Sequence, residues 1–333
     1  AGRRRPVDGL ILADKPAGIT SHDMVARARH ALGKRRVGHA GTLDPFATGL
    51  LILLLGRATR VQRYLMALPK TYEVVARLGA TSTTGDPEGT ITETGVFPGS
   101  GLVLPVGAVR QRPPAHSAVK VDGERAYAKA RRGETVVLEE RTVEVHEFAE
   151  LWRAEDRVAF RIVCSSGTYV RSLIAGLGDA YCLELRRTAI GPFTVDGGWP
   201  GEGHAEVLDL ADGLRRIMPV VALDGAEAAA AAHGRAVAGR PATEDEPGTQ
   251  GEPGTEGEPG TQGEPGTEDE PGTEDEPGTE GEPGTEGEPG TEGGAGSPEA
   301  PAMAVLLVDV AGPIAVAEVR AAGELKPVVG FRG

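Results

Sequence analysis

Residues 37–51 read Val37-Gly38-His39-Ala40-Gly41-Thr42-Leu43-Asp44-Pro45-Phe46-Ala47-Thr48-Gly49-Leu50-Leu51. Gly38, Gly41 and Gly49 let the backbone turn tightly or approach another chain closely, and Pro45 holds Asp44 extended. The stretch therefore presents one carboxylate rigidly. Taken alone, an Asp before Pro is more often a turn or cap residue than a catalytic one. Leu50 to Leu55, just downstream, is an uninterrupted apolar run. It is far short of the roughly 18 apolar residues a membrane span needs, but it has the length of a buried strand. The loop thus feeds straight into core.

Working outward, Gly9 to Ala13 reads as a strand, and Thr20 with Asp23 opens a helix to about Leu32. Lys70 to Leu78, Thr135 to Leu151, Val158 to Cys164 and Leu185 to Val195 have strand character. Helical stretches are expected near Ala58 to Met66, Glu124 to Arg132, Tyr169 to Tyr181 and Gly225 to Arg235, and Met303 to Val319 alternates like a hairpin. This order predicts a mixed α/β or α+β domain rather than a doubly wound parallel one. No glycine-rich phosphate loop follows a strand, so a nucleotide or nicotinamide enzyme has little support.

The formal net charge is −14 over 333 residues, yet residues 244–294 hold 18 acidic and no basic side chains. The rest of the chain carries 31 acids against 35 bases, a net of +4. Six-residue repeats of Glu-Pro-Gly-Thr type fill Glu246 to Gly293, and this composition predicts a disordered acidic insert. Glycine falls at every third position over much of it, as in collagen, but Asp269 and Asp275 break the register and the like charges oppose a triple helix. An inert solvated loop is the main reading, with competition for a basic surface elsewhere on the chain as the other. Residues 1–63 have a net charge of +8 and residues 110–132 of +5, clusters that attract a polyanion. The bland alternative is a solvated face with cations at a helix end. Two cysteines, Cys164 and Cys182, are too few for a disulfide framework or a four-thiolate zinc site. A cytoplasmic setting, no metal and no membrane follow as expectations, and Arg3 to Arg5 are not followed by the apolar stretch of a secretory signal.

Ser165-Ser166-Gly167-Thr168 reads as a helix entry with Thr168 at or near the cap. Arg171 then lies in the first turn, where the helix dipole disfavours a cation. A buried counterion such as Asp44 would account for that; an arginine reaching to the surface is the alternative.

Together these residues resemble the TruB family, the tRNA pseudouridine-55 synthases. The likeness is carried by Gly9 to Ser21, Gly38 to Leu51, Lys70-Thr71-Tyr72, Pro113 to Lys120, Ser166 to Arg171 and Leu185 to Phe193, in the family's order. It implies a pseudouridine synthase fold with a mainly antiparallel central sheet over residues 1–204. A small PUA-like domain over residues 205–333 would carry the insert at 244–294. It implies isomerisation of a uridine in the tRNA T-loop (position 55) by base flipping, with no cofactor. Asp44 matches the catalytic aspartate, Arg171 the arginine that orients it and lowers its pKa, and Tyr72 the tyrosine that stacks on the target base. Tyr169 and Leu185 match pocket residues and His39 the histidine that stacks on the opened loop. Gly41 and Arg60 are assigned to substrate binding, and Lys15 with Pro16 to buttressing the catalytic loop. The implied partner is the tRNA T-arm alone, with a monomeric enzyme and no protein partner. Rival readings are an RNA-binding or tRNA-folding protein using the same groove, and a synthase acting on another RNA.

Overall fold

The computed structural model describes residues 8–33, 36–98, 101–114, 120–121, 124–125, 132, 138–238 and 303–332. The repeats at 244–294, most of Pro113 to Lys120, and the cations Arg3 to Arg5, Lys34 and Arg35 lie outside them. The large sheet is built on β1 (Gly9–Lys15), β2 (Val37–His39), β3 (Thr48–Leu55) and β4 (Lys70–Leu78). A hairpin of β5 (Ala80–Ser82) and β6 (Ile91–Glu93) follows, then β7 (Gly107–Gln111) and the short pair β8 (Lys120–Val121) and β9 (Glu124–Arg125). β10 (Arg141–Ala154), β11 (Arg157–Cys164), β12 (Ala180–Ile190), β13 (Phe193–Thr194) and β14 (Leu208–Asp209) complete it. Its order is β14-β1-β3-β12-β4-β11-β10-β7, with β2 on β3 and β13 on β12. All these pairings are antiparallel except β12 with β3. The mixed α+β architecture and mainly antiparallel sheet are as the sequence predicts.

β3 sits between β1 and β12 and is buried on both faces from Gly49 to Leu55, which is why it is apolar throughout rather than alternating. At Gly49 (φ +101°) a side chain is excluded, because a Cβ would lie 2.2 Å from the Arg187 carbonyl oxygen on β12. Helices among the described residues flank the sheet, including α1 (Ser21–Leu32), α2 (Gln62–Ala67) after a 3₁₀ turn at Gly56–Val61, and α3 (Val170–Ala175). Thr20 and Asp23 form the expected reciprocal cap on α1, and Gly33 ends the helix in the left-handed region.

Several expected boundaries shift. Glu124–Arg125 is a strand rather than the start of a helix, and residues 126–131 lie outside the described ones. The helix expected to Tyr181 stops at Ala175, because Gly176 and Gly178 follow and Ala180 already pairs with Leu78. The expected strand Leu185 to Val195 is instead the end of an 11-residue strand, reversed at Gly191 (φ +52°) into β13. Leu208–Asp209 pairs with Gly9 and Leu10, so the large sheet reaches past residue 204.

α4 (Leu210–Arg215), β15 (Val220–Ala222), α5 (Gly225–Ala232) and β16 (Val237–Ala238) lead into the small sheet. Its remaining strands are β17 (Ala304–Asp309), β18 (Gly312–Val319) and β19 (Glu324–Gly330), in the order β15-β17-β18-β19-β16. Leu306, Val316 and Phe331 of this part pack in one buried cluster with Leu10, Leu50 and Ile52 of the large sheet. No helix among the described residues is long and apolar enough to cross a membrane.

Candidate active site

The Gly41–Pro45 segment is clamped from three sides. Ser21, at the start of α1, accepts the Leu43 N–H on its Oγ at 2.9 Å and donates to the Leu43 carbonyl at 3.3 Å. Lys15, at the end of β1 and fully buried, donates from Nζ to the carbonyls of Pro16 (2.9 Å), Ile19 (2.8 Å) and Pro45 (3.1 Å), as a buttress should. From β12, the buried Arg187 guanidinium donates to Leu50 (2.8 Å), Gly41 (2.9 Å) and Thr42 (3.4 Å) carbonyls. Gly41 itself has φ +95°, a conformation L side chains rarely adopt.

Asp44, fixed by this clamp, meets Arg171 side-on: Nε lies 3.0 Å from Oδ2 and Nη2 3.2 Å from Oδ1. The arginine is almost wholly buried, while the Asp44 side chain keeps about a third of its surface open. Arg171 occupies the first turn of α3 as expected, but the helix cap is Tyr169 without a side-chain hydrogen bond, not Thr168. The cation there is stabilised by two carboxylates rather than one. Its Nη1 donates to Asp86 Oδ2 at 2.8 Å and to the Thr84 carbonyl at 2.9 Å. Asp86 is buried and accepts the Glu88 N–H at 3.0 Å and the Thr84 hydroxyl on its other oxygen. The sequence analysis does not single out Asp86, although Gly85-Asp86-Pro87 repeats the Asp-Pro pattern of Asp44-Pro45.

The expected lowering of the Asp44 pKa does not occur. Burial raises it, and the opposing pull of Arg171, helped by Lys15 and Arg187, does not overcome burial plus the Asp86 charge. Burial also pushes Lys15 down to about 8 and Lys70 down to about 8, and raises the Tyr72 phenol, which therefore stays protonated near neutrality. Lys15, Lys70, Arg171 and Arg187 together outnumber Asp44 and Asp86 among these buried groups, an excess of cations suited to an anionic ligand.

Tyr72 (β4) and Leu185 (β12) lie on neighbouring strands and share a buried cluster with Leu43 and Ala47 of the Asp44 loop. Tyr169 is two residues from Arg171 and is covered by the Arg141 guanidinium at 4.8 Å. His39 ends β2 and meets His22 of α1 edge to face at 5.5 Å. Arg60 is different. Its guanidinium reaches the Gly330 carbonyl of β19 at 3.1 Å, tying the 3₁₀ turn to the small sheet. Cys164 and Cys182 are both buried free thiols.

A family model described as TruB family pseudouridylate synthase, N-terminal domain, matches residues 29–170. The tRNA pseudouridine synthase B of Thermobifida fusca is 45% identical over 255 residues, covering 69% of this chain and 86% of that protein. The chain belongs to the TruB family. Another TruB-family relative, tRNA pseudouridine synthase B of Leifsonia xyli, is 48% identical over 206 residues, which are 56% of this chain and 68% of that one. A solved Cbf5-Nop10-Gar1 complex contains a chain of similar fold, with TM-score 0.58 and 21% identity over 96% of this chain and 83% of that one. A collagen triple helix repeat model also matches residues 239–304. That match follows the glycine period of the acidic insert, in which Asp269 and Asp275 still interrupt the triplets.

Proposed function

We propose that this pseudouridine synthase acts on tRNA and isomerises the T-loop uridine at position 55. The observation that carries the assignment of its catalytic group is the side-on Asp44–Arg171 pair, on a loop clamped by Ser21, Lys15 and Arg187. The net change breaks the N1–C1′ bond, forms C5–C1′, and moves one proton from C5 to N1. Atoms and electrons balance without an oxidant or a transferred group. Ionised Asp44 supplies the negative charge that the separated sugar and base require, as nucleophile or charge stabiliser. Arg171 fixes the carboxylate's orientation through the Nη2–Oδ1 hydrogen bond and the close Nε–Oδ2 ion pair. The buried Tyr72 ring offers a face for the uracil, with Leu185 and Tyr169 completing the wall. Extruding the uridine costs about a few kcal/mol of lost stacking, and His39 is placed to hold the opened loop.

Asp44→Asn tests this reading. The expected result is loss of pseudouridine with tRNA binding retained; product formed at the wild-type rate would overturn it, and would leave an RNA-binding role. Activity of the purified chain on a bare T-arm transcript tests the RNA assigned to it, as a guide-dependent synthase would be inactive there.

A further inference from the structure

Gln111 ends β7 and faces Arg141 across the ladder to β10. Its side chain is buried, the residue being only 6% exposed, and Oε1 accepts the Tyr169 N–H at 3.2 Å. That bond fixes which end of the amide is which. Nε2, with two N–H groups, is enclosed and has no hydrogen-bond partner among the described residues. Arg141 is half-buried, but one of its donors is in a like condition among the described residues. It donates through Nη2 to the Gly167 carbonyl and covers the Tyr169 ring, but its Nε is also enclosed and unpartnered. No carboxylate among the described residues pairs with it. Buried donors without acceptors are rare, because each has given up water for nothing. Here two of them flank the Gly167–Tyr169 stretch that leads directly to Arg171, one carried by a permanent cation. Such a pair fits an anionic oxygen brought by a ligand.

We propose that Gln111 and Arg141 form a subsite that takes a non-bridging phosphate oxygen of the RNA strand beside the target uridine. The proposal rests on the RNA-modifying reading and adds a binding contact to it. Tyr169, held by Gln111 on its backbone and by Arg141 on its ring, would then be set in place as the strand docks.

The test is binding of T-arm RNA hairpins in which each phosphate within two nucleotides of the target uridine is replaced in turn by a neutral methylphosphonate. The proteins are wild type, Arg141→Met and Gln111→Glu; the second variant keeps an acceptor for the Tyr169 N–H while removing the donors. One replacement is expected to weaken wild-type binding about tenfold. The same replacement should leave each variant's already weakened binding unchanged. If every replacement costs the variants the same factor as wild type, or if the variants bind intact RNA as wild type does, the subsite is wrong. Sensitivity to the uracil carbonyls instead of any phosphate would equally overturn it. Because only binding is read, failure here is separate from failure to form product at position 55, which wild-type protein and tRNA report on their own.

Discussion

Arg171 is shared between Asp44 and Asp86, and that sharing decides what each carboxylate contributes. Asp86→Asn removes a charged anchor from a buried cation while leaving a group of the same shape. Arg171 can then turn away from the side-on geometry, and kcat is expected to fall about ten- to a hundredfold with a smaller change in KM. The pH profile gives an independent check. On the proposed mechanism Asp44 acts ionised, and burial holds its pKa above the usual 3.8, so activity is expected to fall as pH drops through that raised value. The Asp86 charge is one cause of the rise, so Asp86→Asn should move the acid limb to lower pH even as the plateau drops. Stability has the opposite sign to activity. A carboxyl that binds its proton more tightly folded than unfolded withdraws stability as pH rises from 3.8 through the folded pKa. Asp44→Asn is therefore expected to raise the melting midpoint at pH 7 by about 2 °C while abolishing turnover, and calorimetry of the two proteins side by side checks it.

The Asp44 loop is an element whose shape is imposed by its neighbours. Arg187→Met leaves the Gly41, Thr42 and Leu50 carbonyls without their donor at near-constant volume. The expected cost is about 3–5 kcal/mol of stability, together with faster amide exchange over residues 41–47 than over β11. Equal exchange in both segments would mean that the guanidinium does not hold the loop. This dependence explains what the sequence could and could not reveal. β4, α1 and the run to Leu55 are legible because propensity, capping and burial agree along a single strand or helix. The helix after Tyr169 is overextended because Gly176 and Gly178 act as stops only once β12 claims the next residues for the sheet. Asp44 and Arg171 are legible through a rigid loop and a misplaced cation. Asp86 and Arg187 matter through partners 85 and 137 or more residues away, which no local pattern encodes.

On the scale of the whole molecule, the small sheet and the catalytic sheet share apolar core, with Arg63–Glu318 (3.0 Å) and Arg60–Gly330 contacts at the same seam. Phe331→Ala should therefore lower one common unfolding transition by about 3–5 kcal/mol, as followed by urea denaturation, rather than release a small domain first. The acidic insert is a different matter. The described chain leaves at Ala238 and returns at Met303, and the insert lies outside the described residues. Deleting residues 244–294 changes the formal charge from −14 to +4 and touches neither sheet. The melting midpoint should stay where it is. Binding of tRNA should strengthen only at low salt, since the Debye length falls from about 30 Å at 0.01 M to about 8 Å at physiological ionic strength. A gain that persists at physiological salt would instead mean that the 18 carboxylates occupy the basic surface directly, so affinity measured across that salt range separates distant repulsion from competition.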